Sequence, residues 1–193
     1  MSNIAIFASG GGSNALEIIR RFKESRSGDK VALLVANKPG IGAIAHAKAH
    51  GIPTEVVPGS VLKSTPEQLL KMLHHHRIDF IALAGFLAMV PAEVTREFSG
   101  RMVNIHPALL PDYGGKGMYG DHVHRAVLSD GRTETGITIH YVNEVYDDGE
   151  IIFQTKTPID PGETLESLKA KIQKLEHANY PKVIESCLKK LKS

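Results

Sequence analysis

Short apolar runs rich in β-branched residues alternate with amphipathic segments along most of this chain. Residues 4–8, Ile-Ala-Ile-Phe-Ala, read as a strand, and a helix follows from about 14 to 23. The next runs predict a strand over 31–36, a short helix over 41–50 and a third strand over 54–57. Thr65-Pro66-Glu67-Gln68 has the form of a capping box with proline at the first helical position, so a helix should run to about His76. Residues 80–84 are continuously apolar, as a central parallel strand should be. A helix over 91–98 then leads into a strand beginning at Met102. This rhythm predicts an α/β fold with a doubly wound, mostly parallel sheet.

After a helix over 121–129 the pattern changes. Residues 136–142 and 150–157 are strand-like, with Asp147-Asp148-Gly149 between them, which predicts an antiparallel hairpin at the sheet edge. A terminal helix over 165–190 carries Pro181 and is expected to kink or break there. No repeat, low-complexity tract or long linker divides the chain, so residues 1–193 are expected to form a single domain. Hydrophobic content of 42% and charged content of 23% are ordinary for a globular protein. The net charge of +2 gives no field that would mark nucleic acid as a partner. The single cysteine, Cys187, excludes an internal disulfide and fits a reducing compartment. Met1-Ser2-Asn3-Ile4 has no basic region, and the longest apolar stretch, 80–90, is too short to span a bilayer. A cytoplasmic protein with no membrane partner is expected.

Three segments carry candidate chemistry. In Asn104-Ile105-His106-Pro107, strand alternation sends Asn104 and His106 to one face, and Pro107 ends the ladder. An amide and an imidazole side by side suit stabilisation of an oxyanion, although a polar strand end facing water has the same pattern. Ser9-Gly10-Gly11-Gly12-Ser13-Asn14 lies between the first strand and the first helix, where backbone N–H groups and the helix dipole favour a phosphate. A tight turn is the alternative. The dinucleotide form Gly10-x-Gly12-x-x-Ala15 is present, but the second strand ends in Asn37-Lys38 rather than an acidic residue. No Gly-Lys-Ser/Thr follows to make a P-loop. A small phosphorylated substrate fits better. In Asn143 to Gly149, Asp147 facing His106 would favour the imidazolium and raise its pKa, unless the loop is only a solvated hairpin. His74-His75-His76 cannot converge on one ion from a helix, and no other cluster has ligand spacing, so no metal is expected. His140 shares a strand face with Thr138; it either supports the site or fills the core, and the second is the safer reading.

As a set these motifs resemble the phosphoribosylglycinamide formyltransferase family over about residues 3–188. The segments that carry the resemblance are 9–14, Leu83-Ala84-Gly85-Phe86, Asn104 to Pro111, Gly136 to His140, Asp147-Asp148-Gly149 and Glu176-His177-Ala178-Asn179-Tyr180-Pro181. The resemblance implies a Rossmann-like formyltransferase fold. It also implies the co-substrate 10-formyltetrahydrofolate, small-molecule substrates, and a monomer or homodimer. Gly12, Ser13 and Asn14 would hold the substrate phosphate, with Gln173 and Glu176 near its ribose or glycyl amine. Leu87, Ala88, Met89 and Val90 would form one wall of the folate pocket, and Asn143, Glu144, Val145 and Tyr146 the other. Asn104 and His106 would flank the formyl carbon, with Asp147 tuning a protonated His106. Two departures stand out. Lys63-Ser64-Thr65 occupies the region where relatives carry a substrate-contacting arginine, and a glycine-rich loop over 112–122 replaces a shorter segment.

Direct attack of the substrate amine on the formyl carbon, through a tetrahedral intermediate, needs no nucleophilic residue, and Cys187 is read as packing. Methionyl-tRNA formyltransferase shares the motifs but uses a further domain and a basic surface. A formyltetrahydrofolate hydrolase would not need the phosphate loop. A nucleotide-binding oxidoreductase would use the glycine loop for a dinucleotide, which titration with NAD(H) and NADP(H) would reveal.

Overall fold

The computed structural model describes residues 1–192. The chain runs β1 (Asn3–Ala8), α1 (Ser13–Glu24), β2 (Lys30–Ala36), α2 (Gly42–Ala49), β3 (Thr54–Val56), α3 (Gly59–Ser64), α4 (Pro66–His75), β4 (Phe80–Leu83) and α5 (Ala92–Glu97). It continues through β5 (Met102–His106), α6 (Asp121–Ser129), β6 (Glu134–Tyr141), β7 (Ile151–Pro158) and α7 (Leu165–Lys190). The strands form a seven-stranded sheet in the order β3-β2-β1-β4-β5-β6-β7. Pairs from β3 to β5 are parallel, and β5–β6 and β6–β7 are antiparallel. The doubly wound sheet with an edge hairpin is therefore as the residue pattern predicts.

Alternation along β1 divides the core. Ile4, Ile6 and Ala8 pack with Ile18 and Phe22 of α1, Ala43 of α2, and Ile184 and Leu188 of α7. Ala5 and Phe7 pack on the opposite face with Leu69 and Leu73 of α4 and Val94 of α5. Both faces of β1 are thus dry, which is why its sequence is continuously apolar rather than alternating. The strand order reverses between β1 and β4. In open α/β sheets such a reversal opens a crevice beyond the carboxyl ends of the strands.

Three local expectations are corrected. Residues 59–64 form a short helix that the apolar pattern did not signal. Because that helix ends just before α4, Thr65 donates its hydroxyl back to the Val61 carbonyl at 3.0 Å and makes no capping box. The reciprocal box forms instead at the start of α7, between Thr164 and Ser167. Pro181 does not end α7, which continues to Lys190. Its ring is buried, and neighbouring Tyr180 donates to the carbonyls of Leu83 at 2.8 Å and Val103 at 3.1 Å. Packing against the ends of β4 and the middle of β5 outweighs the one helical hydrogen bond that proline removes.

Candidate active site

A cavity of about 740 Å³ opens at the crevice between β1 and β4. Its first wall is the glycine loop. Gly12 has φ of 79°, and a Cβ there would lie 2.5 Å from the Ala43 Cα. A Cβ on Gly42 would lie 2.5 Å from the Gly11 carbonyl oxygen, so α2 packs backbone-to-backbone on the loop. Helix α1 starts without a side-chain cap and without an acidic residue in its first turn. Its positive end therefore faces the cavity without a carboxylate from its own first turn.

Helix α7 lays a polar stripe beside this loop. Gln173 Nε2 donates to Ser13 Oγ at 3.0 Å, and Asn14 Nδ2 donates to Glu176 at 2.9 Å. Burial pushes the Glu176 carboxyl up to about 7, partly offset by the Asn14 amide. The opposite wall comes from the segment after β4, where the Leu87 N–H donates to Ser9 Oγ at 2.8 Å. Leu87, Met89, Val145 and Tyr146 are exposed apolar side chains on this wall, with Ala88, Val90 and Asn143 beside them. Glu144 does not line the cavity; it is exposed and its carboxylate lies 3.5 Å from Arg96. The side chain of Lys63 lies outside the described residues, and Ser64 donates to the Ser60 carbonyl.

The end of β5 supplies the floor. Asn104 and His106 both line the cavity, and the strand stops before Pro107. Asp147 comes from the β6–β7 connection at φ of 53°, a left-handed conformation that costs a non-glycine residue energy. The Gly115 N–H holds its Oδ2 at 2.9 Å, and Asn104 Nδ2 reaches its Oδ1 at 3.4 Å. Its Oδ2 lies 3.5 Å from His106 Nδ1, while His106 Nε2 donates to the Tyr113 carbonyl at 2.8 Å. Three segments distant in the chain thus meet at one point.

The protonation of His106 differs from the sequence expectation. Burial of the ring, which is 3% exposed, lowers its pKa more than the Asp147 carboxylate and the Tyr113 carbonyl raise it. Removing water costs the imidazolium more than a carboxylate at 3.5 Å returns. At neutral pH His106 therefore rests neutral, with its proton on Nε2.

His140 belongs to the site rather than to the core alone. Its Nδ1–H donates to the Tyr141 carbonyl at 2.8 Å, and its Nε2 lies 3.2 Å from Asn104 Nδ2 and 3.6 Å from Asp147 Oδ1. Thr138, on the same face, donates to the Ala108 carbonyl and accepts from the Leu110 N–H, pinning the segment after Pro107. Sequence reasoning also passed over His124, Lys116 and Lys169, which line the cavity. Among the described residues no cluster of His, Cys, Asp or Glu can hold a metal ion, and His74 of the histidine run pairs with Glu97. No helix among them is long and apolar enough to cross a membrane.

The glycine loop, apolar wall and imidazole–carboxylate floor line one continuous cleft. Residues 2–184 match the family model described as formyl transferase. A phosphoribosylglycinamide formyltransferase of Bacillus subtilis is 39% identical over 97% of this chain and 95% of its own length. A chloroplastic phosphoribosylglycinamide formyltransferase of Arabidopsis thaliana is 40% identical over 94% of this chain. The chain spans 63% of that plant protein's length. Among solved structures, a phosphoribosylglycinamide formyltransferase of Bacillus halodurans superposes with a TM-score of 0.88 at 36% identity, covering 96% of this chain and 95% of that one. The chain belongs to the formyl transferase family and, within it, to the phosphoribosylglycinamide formyltransferases.

Proposed function

We propose that this chain transfers the formyl group of 10-formyltetrahydrofolate to the amine of glycinamide ribonucleotide, a step of purine synthesis. The observation that carries this reading is the meeting of Asn104, His106 and Asp147 in one cavity with the glycine loop and an exposed apolar wall. The names of the relatives point the same way.

In this reading Gly12, Ser13 and Asn14 hold the phosphate at the start of α1. Gln173 and Glu176 meet the ribose or the glycyl amine. Leu87 to Val90 and Val145 to Tyr146 enclose the flat ring of the folate. Glu144 contributes backbone only, because its side chain points toward Arg96. The substrate amine attacks the formyl carbon, a C–N bond forms, and the carbonyl π electrons move to oxygen. The bond from that carbon to the folate nitrogen then breaks as the oxygen's electrons return, and a proton passes through water from the attacking to the leaving nitrogen.

His106 Nε2–H and Asn104 Nδ2–H are the donors for the developing oxyanion. Each gives up a protein contact to do so: His106 its bond to the Tyr113 carbonyl, Asn104 its long contact to Asp147. A neutral His106 still donates, and the Asp147 carboxylate favours the partial positive charge that the ring develops as its Nε2–H bonds the oxyanion. Orientation of both substrates in one cleft supplies further rate. The whole of residues 1–193 acts as one formyltransferase domain on small molecules, without nucleic acid, in the cytoplasm, as a monomer or homodimer.

The deciding experiment measures loss of 10-formyltetrahydrofolate with and without glycinamide ribonucleotide. Consumption only when the ribonucleotide is present, with formylated product, is expected. Equal consumption in its absence would make the protein a hydrolase, and tight NAD(H) or NADP(H) binding would return the dinucleotide reading.

A further inference from the structure

His124, in α6, borders the cavity and is 6% exposed. Neither of its ring nitrogens has a hydrogen-bond partner among the described residues, and Nδ1 is sealed from solvent. Nε2 is therefore the nitrogen left open, and the cavity is the space the ring borders. A sealed N–H without an acceptor costs more than a sealed lone pair. The proton accordingly belongs on Nε2, with Nδ1 bare. Burial holds the ring below the usual imidazole range, and Lys169 adds to this against the opposing pull of Asp121. His124 meets the cleft as a neutral N–H donor with nothing in the protein to receive its proton.

Its neighbours fix which ligand it faces. Lys169 and Asp121 pair with each other at 2.6 Å, and His106 is the third ionisable group that acts on it. Lys169 lies one turn before Gln173, the residue that bonds Ser13 of the glycine loop. None of these neighbours belongs to the apolar wall. His124 thus stands on the side of α6 and α7, between the end that suits a phosphate and the end where the reaction occurs.

We infer that His124 Nε2–H donates a hydrogen bond to an oxygen of the phosphorylated substrate, on the span between its phosphate and its reacting amine. It is a binding residue that recognises this substrate and not the formyl donor, an assignment that rests on the function proposed above. The full chain is compared with His124→Phe, which keeps a ring but no donor, and His124→Gln, which keeps a donor. Each is titrated calorimetrically with glycinamide ribonucleotide, with ribose 5-phosphate and with 10-formyltetrahydrofolate. The Phe variant should bind glycinamide ribonucleotide about tenfold more weakly, the size of one lost hydrogen bond. Its folate affinity should be unchanged, and the Gln variant should recover most of the loss. Unchanged ribonucleotide affinity in a folded Phe variant, or a loss confined to folate, would overturn the assignment. If the wild type binds ribose 5-phosphate but does not formylate glycinamide ribonucleotide, the functional reading falls. The same Phe and Gln contrast, read on ribose 5-phosphate, then still decides the role of His124. Should the Phe variant not fold, imidazole ¹⁵N spectra of the wild type decide instead. A His124 resonance unmoved by saturating ribonucleotide overturns the inference, and a Nε2–H signal that shifts on binding supports it.

Discussion

The two ends of the cleft are built in different ways. At the glycine loop, six consecutive residues and the start of one helix make most of the surface, through backbone conformation and close approach to α2. At the other end, the side chains of Asn104 and His106 from β5 and the backbone N–H of Gly115 from the loop after Pro111 converge on Asp147 of the β6–β7 connection. The first kind of site depends on which residue types sit next to each other. The second depends on register: β5 must pair with β6 so that Asn104 lies opposite His140, and the connection must then turn back onto both. An error of one residue there would send each side chain to the wrong face.

The sharpest separation of the two ends comes from His106→Ala. Turnover should fall about 10²–10³-fold, the usual loss for one oxyanion donor, while calorimetric affinity for glycinamide ribonucleotide stays close to wild type. Equal losses of both would merge the two ends into one binding unit. Next in size is Gly12→Ala. A Cβ at φ of 79°, against the Ala43 backbone, should cost about 1–3 kcal/mol in urea denaturation and weaken phosphate binding. Unaltered stability would mean that the loop is looser than its contact with α2 implies.

Asp147→Asn probes the convergent end more gently. It removes the carboxylate that raises the His106 pKa, so the His106 titration followed by NMR should move further below the usual imidazole range. Turnover should fall about tenfold, because the Gly115 N–H then meets a neutral amide in place of a carboxylate. An unmoved titration would remove Asp147 from any electrostatic role. The smallest effect concerns Glu176 beside the glycine loop. Its folded pKa of about 7 lies above the ordinary 4.5, so the native state holds an extra proton between those values. Stability contributed by this group is full below about 4.5 and is lost as the pH rises through 7. Glu176→Gln should flatten that decline in thermal denaturation measured across the same range; a slope identical to wild type would contradict it.

Much of this was legible from the chain because the information was local. The parallel strands are buried on both faces and announce themselves as apolar runs, and the glycine loop is contiguous. The edge hairpin followed from alternation and the Asp-Asp-Gly turn. Residues 59–64 were missed because a six-residue helix is too short to show a period. Pro181 misled because its local cost is real, yet Tyr180 anchors the helix on two strand carbonyls that no sequence window contains. For His140 core filling was preferred over support of the site because its burial was foreseeable, whereas its partner Asn104 lies on a different strand. His124 gave no signal at all: a single imidazole on an amphipathic helix has no spacing to read.

Residue order alone determined the sheet, its edge hairpin, the position of the glycine turn and the identity of the amide–imidazole pair. All of these follow from patterns that repeat every two or four residues, or from neighbours in the chain. Only the tertiary structure decided the charge of His106. Coulomb attraction to Asp147 and the cost of removing water act in opposite directions, and their balance depends on how deeply the closed cleft buries the ring.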